Sequence, residues 1–122
     1  MRFQGVIELL KDDLFQLERA MRNYAGSDVS LIPLITDYLA DGGGKRIRPI
    51  LVLICSNLCG YKGEKDIIHS CIVEFIHTAT LLHDDVIDGS ELRRGNPSVN
   101  SRWGNETSIL LGDFLFSKAF CL

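Results

Sequence analysis

Asp84, Asp85 and Asp88 stand at positions i, i+1 and i+4, and Arg93-Arg94-Gly95 follow shortly after. On a helix, about 100° per residue brings Asp84 and Asp88 within about 40° of each other, one turn apart. Two carboxylates so placed repel unless positive charge lies between them. A hard divalent cation with oxygen ligands, Mg²⁺ above all, removes that repulsion. Mg²⁺ is usually shared between one or two carboxylates and substrate phosphates. Guanidinium forks match phosphate oxygens in bidentate fashion, so the paired arginines read as direct phosphate ligands. The chemistry implied is capture of a phosphorylated substrate by metal and arginine together. A solvated helix end also collects carboxylates, but Ile67 to Leu82 are largely apolar. Carboxylates closing such a buried helix need compensation.

A second cationic element precedes this one: Gly42-Gly43-Gly44-Lys45-Arg46-Ile47-Arg48-Pro49. Glycines let backbone amides approach an anion closely. Lys45, Arg46 and Arg48 supply charge, and the N-terminus of the next helix adds to it. The spacing is not that of a Walker A loop, since no Ser or Thr follows the lysine and no strand precedes it. By itself the segment fits a solvated basic turn. Beside the acidic and Arg-Arg motifs it reads as a second phosphate-binding loop. His77 lies seven residues before Asp84, so it shares that helix face about two turns, or ~10 Å, deeper. It either donates to a phosphate oxygen or sits satisfied in the core. His69 reads as a surface residue, and His83 as one that packs or hydrogen-bonds structurally.

These side chains need a helical scaffold. Val6, Leu9, Leu10, Leu14, Leu17 and Met21 recur at helical spacing, predicting one helix over 5–23. Ser27 or Asp28 can cap a second over 29–39, with Pro33 in its first turn. A third is expected over 49–58. A long fourth runs over 64–88 and is closed by Gly89. A polar loop over 90–105 leads to a last helix from about Glu106. The expected fold class is all-α, a helical bundle, with no repeat and no strand alternation.

Composition bounds the rest. The chain has 122 residues, 46% hydrophobic and 24% charged, with a net charge of −3. Nothing in that balance points to a nucleic-acid partner. No apolar run reaches the ~18 residues of a transmembrane segment, and Met1-Arg2-Phe3-Gln4 lacks the apolar core of a signal peptide. A cytoplasmic location is expected. Cys55 and Cys59 are spaced i, i+4, but no second pair matches them as a metal site. With Cys71 and Cys121 they read as reduced, buried thiols.

Three segments in this order, GGGKRIRP, EFIHTATLLHDDVIDGSELRRGNPSVN and LLGDFLFSKAF, resemble the N-terminal part of the trans-polyprenyl diphosphate synthases. The resemblance covers nearly the whole chain. It implies the all-helical isoprenoid synthase (prenyltransferase) fold around a deep central cavity, usually in a homodimer. It also implies a Mg²⁺-dependent reaction joining an allylic diphosphate to isopentenyl diphosphate. On that resemblance Asp84 and Asp88, with Asp85 close by, form the first Asp-rich motif and hold Mg²⁺ on the allylic diphosphate. Arg93 contacts the same group, completing a catalytic set of Asp84, Asp85, Asp88 and Arg93. Lys45, Arg48, His77 and Arg94 bind isopentenyl diphosphate. Metal and arginine charge stabilise the leaving pyrophosphate, and an apolar pocket protects the carbocation from water. The proton lost goes to the departing pyrophosphate, so no protein base is required.

Members of that family with short products usually carry an aromatic residue four or five positions before the first Asp. Thr80 and Ala79 occupy those positions here, and both are small. Thr80 falls on the Asp84 face by helix geometry; the role of Ala79 rests on the resemblance alone. A medium- or long-chain product, such as an octaprenyl-type quinone side chain, is the expectation. The family's second Asp-rich motif is missing, and the last helix is still apolar at Phe120-Cys121-Leu122. The chain therefore reads as an N-terminal fragment, 1–122, of a single synthase domain, expected to turn over poorly or not at all by itself. Two rival classes are weighed. A class I terpene cyclase or head-to-head synthase also uses DDxxD, but handles no isopentenyl diphosphate, which leaves GGGKRIRP and Arg94 idle. A non-catalytic partner subunit would have no need of intact metal and phosphate motifs.

Overall fold

The computed structural model describes residues 2–122. It contains α1 (Phe3–Leu9), α2 (Lys11–Tyr24), α3 (Leu31–Asp41), α4 (Ile47–Leu58) and α5 (Lys65–Ile87). Strands β1 (Leu92–Arg93) and β2 (Asn96–Pro97) follow, then α6 (Val99–Trp103) and α7 (Asn105–Cys121). The longest helix, α5, packs against α7 on one side and against α4 and α2 on the others. No helix among the described residues is long and apolar enough to cross a membrane.

Two clusters hold the bundle. Ile35, Phe75, Ala79, Leu82, Val99, Leu111 and Leu115 belong to one, which spans α3, α5, α6 and α7. Leu10, Ile50, Leu53 and Ile67 form the other, which ties α1 and α2 to α4 and α5. Each fully buried leucine here contributes about 1.5–3 kcal/mol by leaving water. The docking of α7 on α5 is also polar. The buried Ser108 hydroxyl donates to the Leu82 carbonyl at 3.1 Å, and His83 Nε2 donates to the Ile109 carbonyl at 3.1 Å. Gly112 makes this approach possible, because a Cβ there would collide with the His83 ring. These contacts fix the last turns of α5, which carry the aspartates.

The helix expected over 5–23 is two helices. Leu10 takes φ −99° and ψ 12° between them, while the Leu14 amide still bonds the Leu10 carbonyl at 2.8 Å. The apolar period continues across such a soft break, so spacing alone cannot reveal it. The break turns Leu10 into the second cluster. The start of α3 also differs from the expectation: Ser27 accepts from the Val29 amide at 3.1 Å, but the helix begins only at Leu31, without a side-chain cap. The burial expected of all four thiols holds for Cys71 alone; Cys55, Cys59 and Cys121 are exposed. Periodicity identified their helices but not the face each turns to its neighbours. Burial pushes the Cys71 thiol up to about 12, with the Glu18 carboxylate adding to the shift.

The loop expected over 90–105 is more ordered than that. Leu92 pairs with Pro97 and Arg93 with Asn96 in a short antiparallel hairpin. Its two turn residues, Arg94 and Gly95, have φ of 52° and 79°. Positive φ at both central positions is the pattern whose twist suits a two-residue hairpin.

Candidate functional site

The end of α5 sorts its aspartates by face. Asp84 and Asp88 are exposed, one turn apart, and have no ion-pair partner among the described residues. Asp85 points inward, is 5% exposed, and accepts two bonds from Arg93. Arg93 Nε reaches Asp85 Oδ2 at 2.7 Å and Arg93 Nη2 reaches Oδ1 at 2.6 Å. The Asp85 bond holds the Arg93 guanidinium above its ordinary pKa, outweighing burial. Asp85 is therefore an anchor for Arg93, and only Asp84 and Asp88 are free to meet a ligand.

The helix closes directly on this motif. The Gly89 amide bonds the Val86 carbonyl at 3.2 Å and the Ser90 amide bonds the Asp85 carbonyl at 2.9 Å, the paired bonds of a Schellman end. Gly89 has φ +63°, which glycine adopts without strain. Asn100 Nδ2 and Ser98 Oγ both donate to the Ser90 carbonyl, at 2.9 and 2.7 Å. No basic residue lies in the last turn of α5, where the helix dipole is negative. Two unpaired carboxylates at a negative helix end leave a deficit of positive charge. Oxygen donors of this kind fit a hard divalent cation. Among the described residues no group of three or more His, Cys, Asp or Glu could hold a metal, so substrate oxygens would have to share the ion.

The cationic loop is sorted in the same way. Lys45, Arg48, His77 and Arg94 line one cleft, together with Gly42, Gly43 and Gly44. Lys45, Arg48 and Arg94 are exposed and His77 is half-buried. Arg94 Nη1 donates to the Gly43 carbonyl, joining the hairpin to the glycine loop. Arg46 takes the left-handed conformation, φ 52° and ψ 34°, just before α4. That reversal turns its side chain inward, where Nε meets Glu18 Oε1 at 2.7 Å and Nη1 meets the buried Glu74 Oε1 at 3.1 Å. Burial alone would lower the Arg46 pKa, yet bonds and charge from Glu18 and Glu74 raise it overall. The inward roles of Arg46 and Asp85, and the fastening by Ser98 and Asn100, carry no signal in the sequence beyond residue type.

His77 faces the cleft, and its ring nitrogens have no hydrogen-bond partner among the described residues. Burial first, then the charge of Arg48, lowers its pKa below the ordinary imidazole value. His77 and Asp84 lie ~10 Å apart along α5, so one helix carries the cationic cleft and the acidic end. Thr80 is half-buried between them and donates to the His77 carbonyl at 2.6 Å. Ala79 is fully buried in the core cluster that includes Leu111 and Leu115. His69 is exposed, and its Nδ1 contacts the Lys65 carbonyl at 2.6 Å.

A family model described as polyprenyl synthetase matches residues 29–122. The octaprenyl diphosphate synthase of Escherichia coli is 42% identical over 120 residues, covering 98% of this chain and 37% of that protein. A decaprenyl diphosphate synthase structure from Rhodobacter capsulatus superposes with a TM-score of 0.93 at 42% identity, over 97% of this chain and 37% of that one. A polyprenyl synthase from Caulobacter crescentus, solved with calcium and isoprenyl diphosphate, gives 0.90 at 43% identity over 94% and 35%. The chain thus shares the helical fold of those synthases and spans a little over a third of their length. The matched residues include the glycine-rich cationic loop and the aspartate-bearing helix end, and the chain belongs to the polyprenyl synthetase family.

Proposed function

We propose that this chain is the N-terminal portion, residues 1–122, of a single synthase domain that condenses an allylic diphosphate with isopentenyl diphosphate. One observation carries the reading. Lys45, Arg48, His77 and Arg94 share a cleft, and unpaired Asp84 and Asp88 lie about two turns further along the same helix. Two diphosphates can therefore be held side by side. The relative from Caulobacter crescentus, solved with a divalent cation and a prenyl diphosphate, supports this pairing of ligands.

Asp84 and Asp88 would hold Mg²⁺, which would neutralise charge on the allylic diphosphate as its C–O bond breaks. Arg93, fixed at Nε and Nη2 by Asp85, has Nη1 left for a diphosphate oxygen. Lys45, Arg48 and Arg94 neutralise the second diphosphate, and neutral His77 can donate one hydrogen bond to it. The alkene of isopentenyl diphosphate attacks the allylic carbon, a C–C bond forms, and the proton leaves with pyrophosphate.

Small residues at Ala79 and Thr80 favour a medium- or long-chain product, a quinone side-chain precursor. Exposed apolar residues such as Leu110 and Phe120 favour burial against a second copy and against the rest of a longer chain, in a cytoplasmic homodimer. Incorporation of radiolabelled isopentenyl diphosphate, with farnesyl diphosphate and Mg²⁺, tests the reading. A chain extended to the length of the relatives is expected to give long polyprenyl product, and the 122-residue chain none. No product from the extended chain would overturn the activity; product from the short chain would overturn its incompleteness.

A further inference from the structure

Outside the cleft, the last turn of α3 is fastened to the hairpin by an aromatic cluster. The Tyr38 hydroxyl donates to the Pro97 carbonyl at 2.7 Å. The Tyr38 and Trp103 rings meet edge to face, with centroids 5.0 Å apart and planes at 74°. The Arg102 guanidinium lies over both rings, 4.8 Å from Tyr38 and 4.6 Å from Trp103. Arg102 is exposed and has no carboxylate partner among the described residues. Its favourable contact is with the two π faces.

The same two segments meet a second time inside the cleft. Just beyond Tyr38 comes the glycine loop, and just before Pro97 comes Arg94, whose Nη1 donates to the Gly43 carbonyl. Arg94 holds φ 52°, a left-handed conformation that a non-glycine residue keeps only where its surroundings over-determine it. The two-residue hairpin turn supplies part of that constraint, and two attachments in parallel, one in the outer ring contacts and one in the cleft, add to it.

We infer that Tyr38, Arg102 and Trp103 form a clamp that sets the position of Arg94 against the glycine loop, and so the width of the cleft. They are positioning residues. None lines the part of the cleft formed by Lys45, Arg48 and His77. The inference rests on the cleft being a diphosphate site. It also makes Trp103, the sole tryptophan of the chain, a reporter of cleft occupancy, because a ligand that draws Arg94 and the loop together moves the hairpin.

The test is titration of the purified chain with inorganic pyrophosphate, without metal, followed by calorimetry and by Trp103 emission. The wild-type chain is expected to bind, with an emission change that follows the calorimetric saturation. Arg102→Ala and Tyr38→Phe are expected to weaken binding about 5- to 10-fold, and Arg102→Lys less, since ammonium keeps the charge but loses planar stacking. The deciding step is a double-mutant cycle. In an Arg94→Ala background, Arg102→Ala is expected to cause no further loss, because the clamp acts through Arg94. Full additivity of the two losses, or binding by Arg102→Ala within about 2-fold of wild type, overturns the clamp while leaving the cleft reading intact. Failure of the wild-type chain to bind pyrophosphate overturns both. Circular dichroism of each variant separates these outcomes from unfolding, and because Arg102 is exposed its variants are expected to keep the wild-type spectrum.

Discussion

The cationic loop and the acidic end of α5 carry opposite charge, yet they are built on one plan. At each, a run of like charges is divided. One member turns inward to an opposite charge, and the rest stay outside without partners. Arg46 goes in to Glu18 and Glu74 while Lys45 and Arg48 stay out. Asp85 goes in to Arg93 while Asp84 and Asp88 stay out. The difference lies in what remains. The loop leaves cations beside backbone amides, which suits an anion directly. The helix end leaves carboxylates at a negative dipole, which suits an anion only through a metal. A charged motif thus needs an anchor as well as ligands.

The largest effect expected from this comparison is at the anchor of the loop. Arg46→Met leaves the buried Glu74 carboxylate without a partner, and breaking such a pair costs about 3 kcal/mol or more. Urea denaturation should show that loss. Lys45→Met should stay within about 0.5 kcal/mol of wild type and instead weaken pyrophosphate binding, read by calorimetry. Equal destabilisation by the two variants would erase the distinction between anchor and ligand.

The acidic end should repeat the pattern more weakly, because Arg93 is one-third exposed. Asp85→Asn is expected to cost about 1–3 kcal/mol through the lost charged bonds. Asp84→Asn and Asp88→Asn should leave stability unchanged or slightly raised, since they relieve repulsion. They should also remove any stabilisation of the chain by added Mg²⁺ and pyrophosphate together. Melting curves with and without those ligands check both halves. A loss of stability in Asp88→Asn as large as in Asp85→Asn would contradict the sorting.

Product length is a smaller structural change. Ala79 is fully buried, so Ala79→Phe overpacks the core and costs about 1–3 kcal/mol. Thr80→Phe points from a half-buried position on the Asp84 face and should shorten the products of an extended, active enzyme with less loss of stability. Chromatography of the polyprenols decides this, and unchanged length in Thr80→Phe would remove Thr80 from the tail path.

The smallest effect concerns His77. Burial and Arg48 lower its pKa, so the unfolded chain binds a proton more readily than the folded one. Stability is then complete above the ordinary imidazole value of about 6.5 and declines as pH falls toward the lowered folded value. A bound diphosphate should move the His77 titration upward, because it favours the imidazolium. Proton NMR of the ring with and without pyrophosphate reads the shift, and an unmoved titration would take His77 out of the cleft chemistry.

The sequence by itself determined the main helices, though not the break at Leu10 or the short α6, and it determined the two charged segments and the family. Apolar residues at a period of 3.6 mark a helix wherever it later packs. Charges concentrated at a helix end or beside glycines persist in any arrangement of the chain. The tertiary structure alone decided which charge of each run faces inward. Asp84 and Asp85 are adjacent in sequence, and α5 places them about 100° apart, but only the hairpin brings Arg93 to one of them. Arg46 is indistinguishable from Arg48 in the sequence until its left-handed backbone turns it toward Glu18 and Glu74. The exposed Cys55, Cys59 and Cys121 follow the same reasoning. Periodicity fixes the angle of a side chain around its helix, and the neighbours that cover that angle come from elsewhere in the chain.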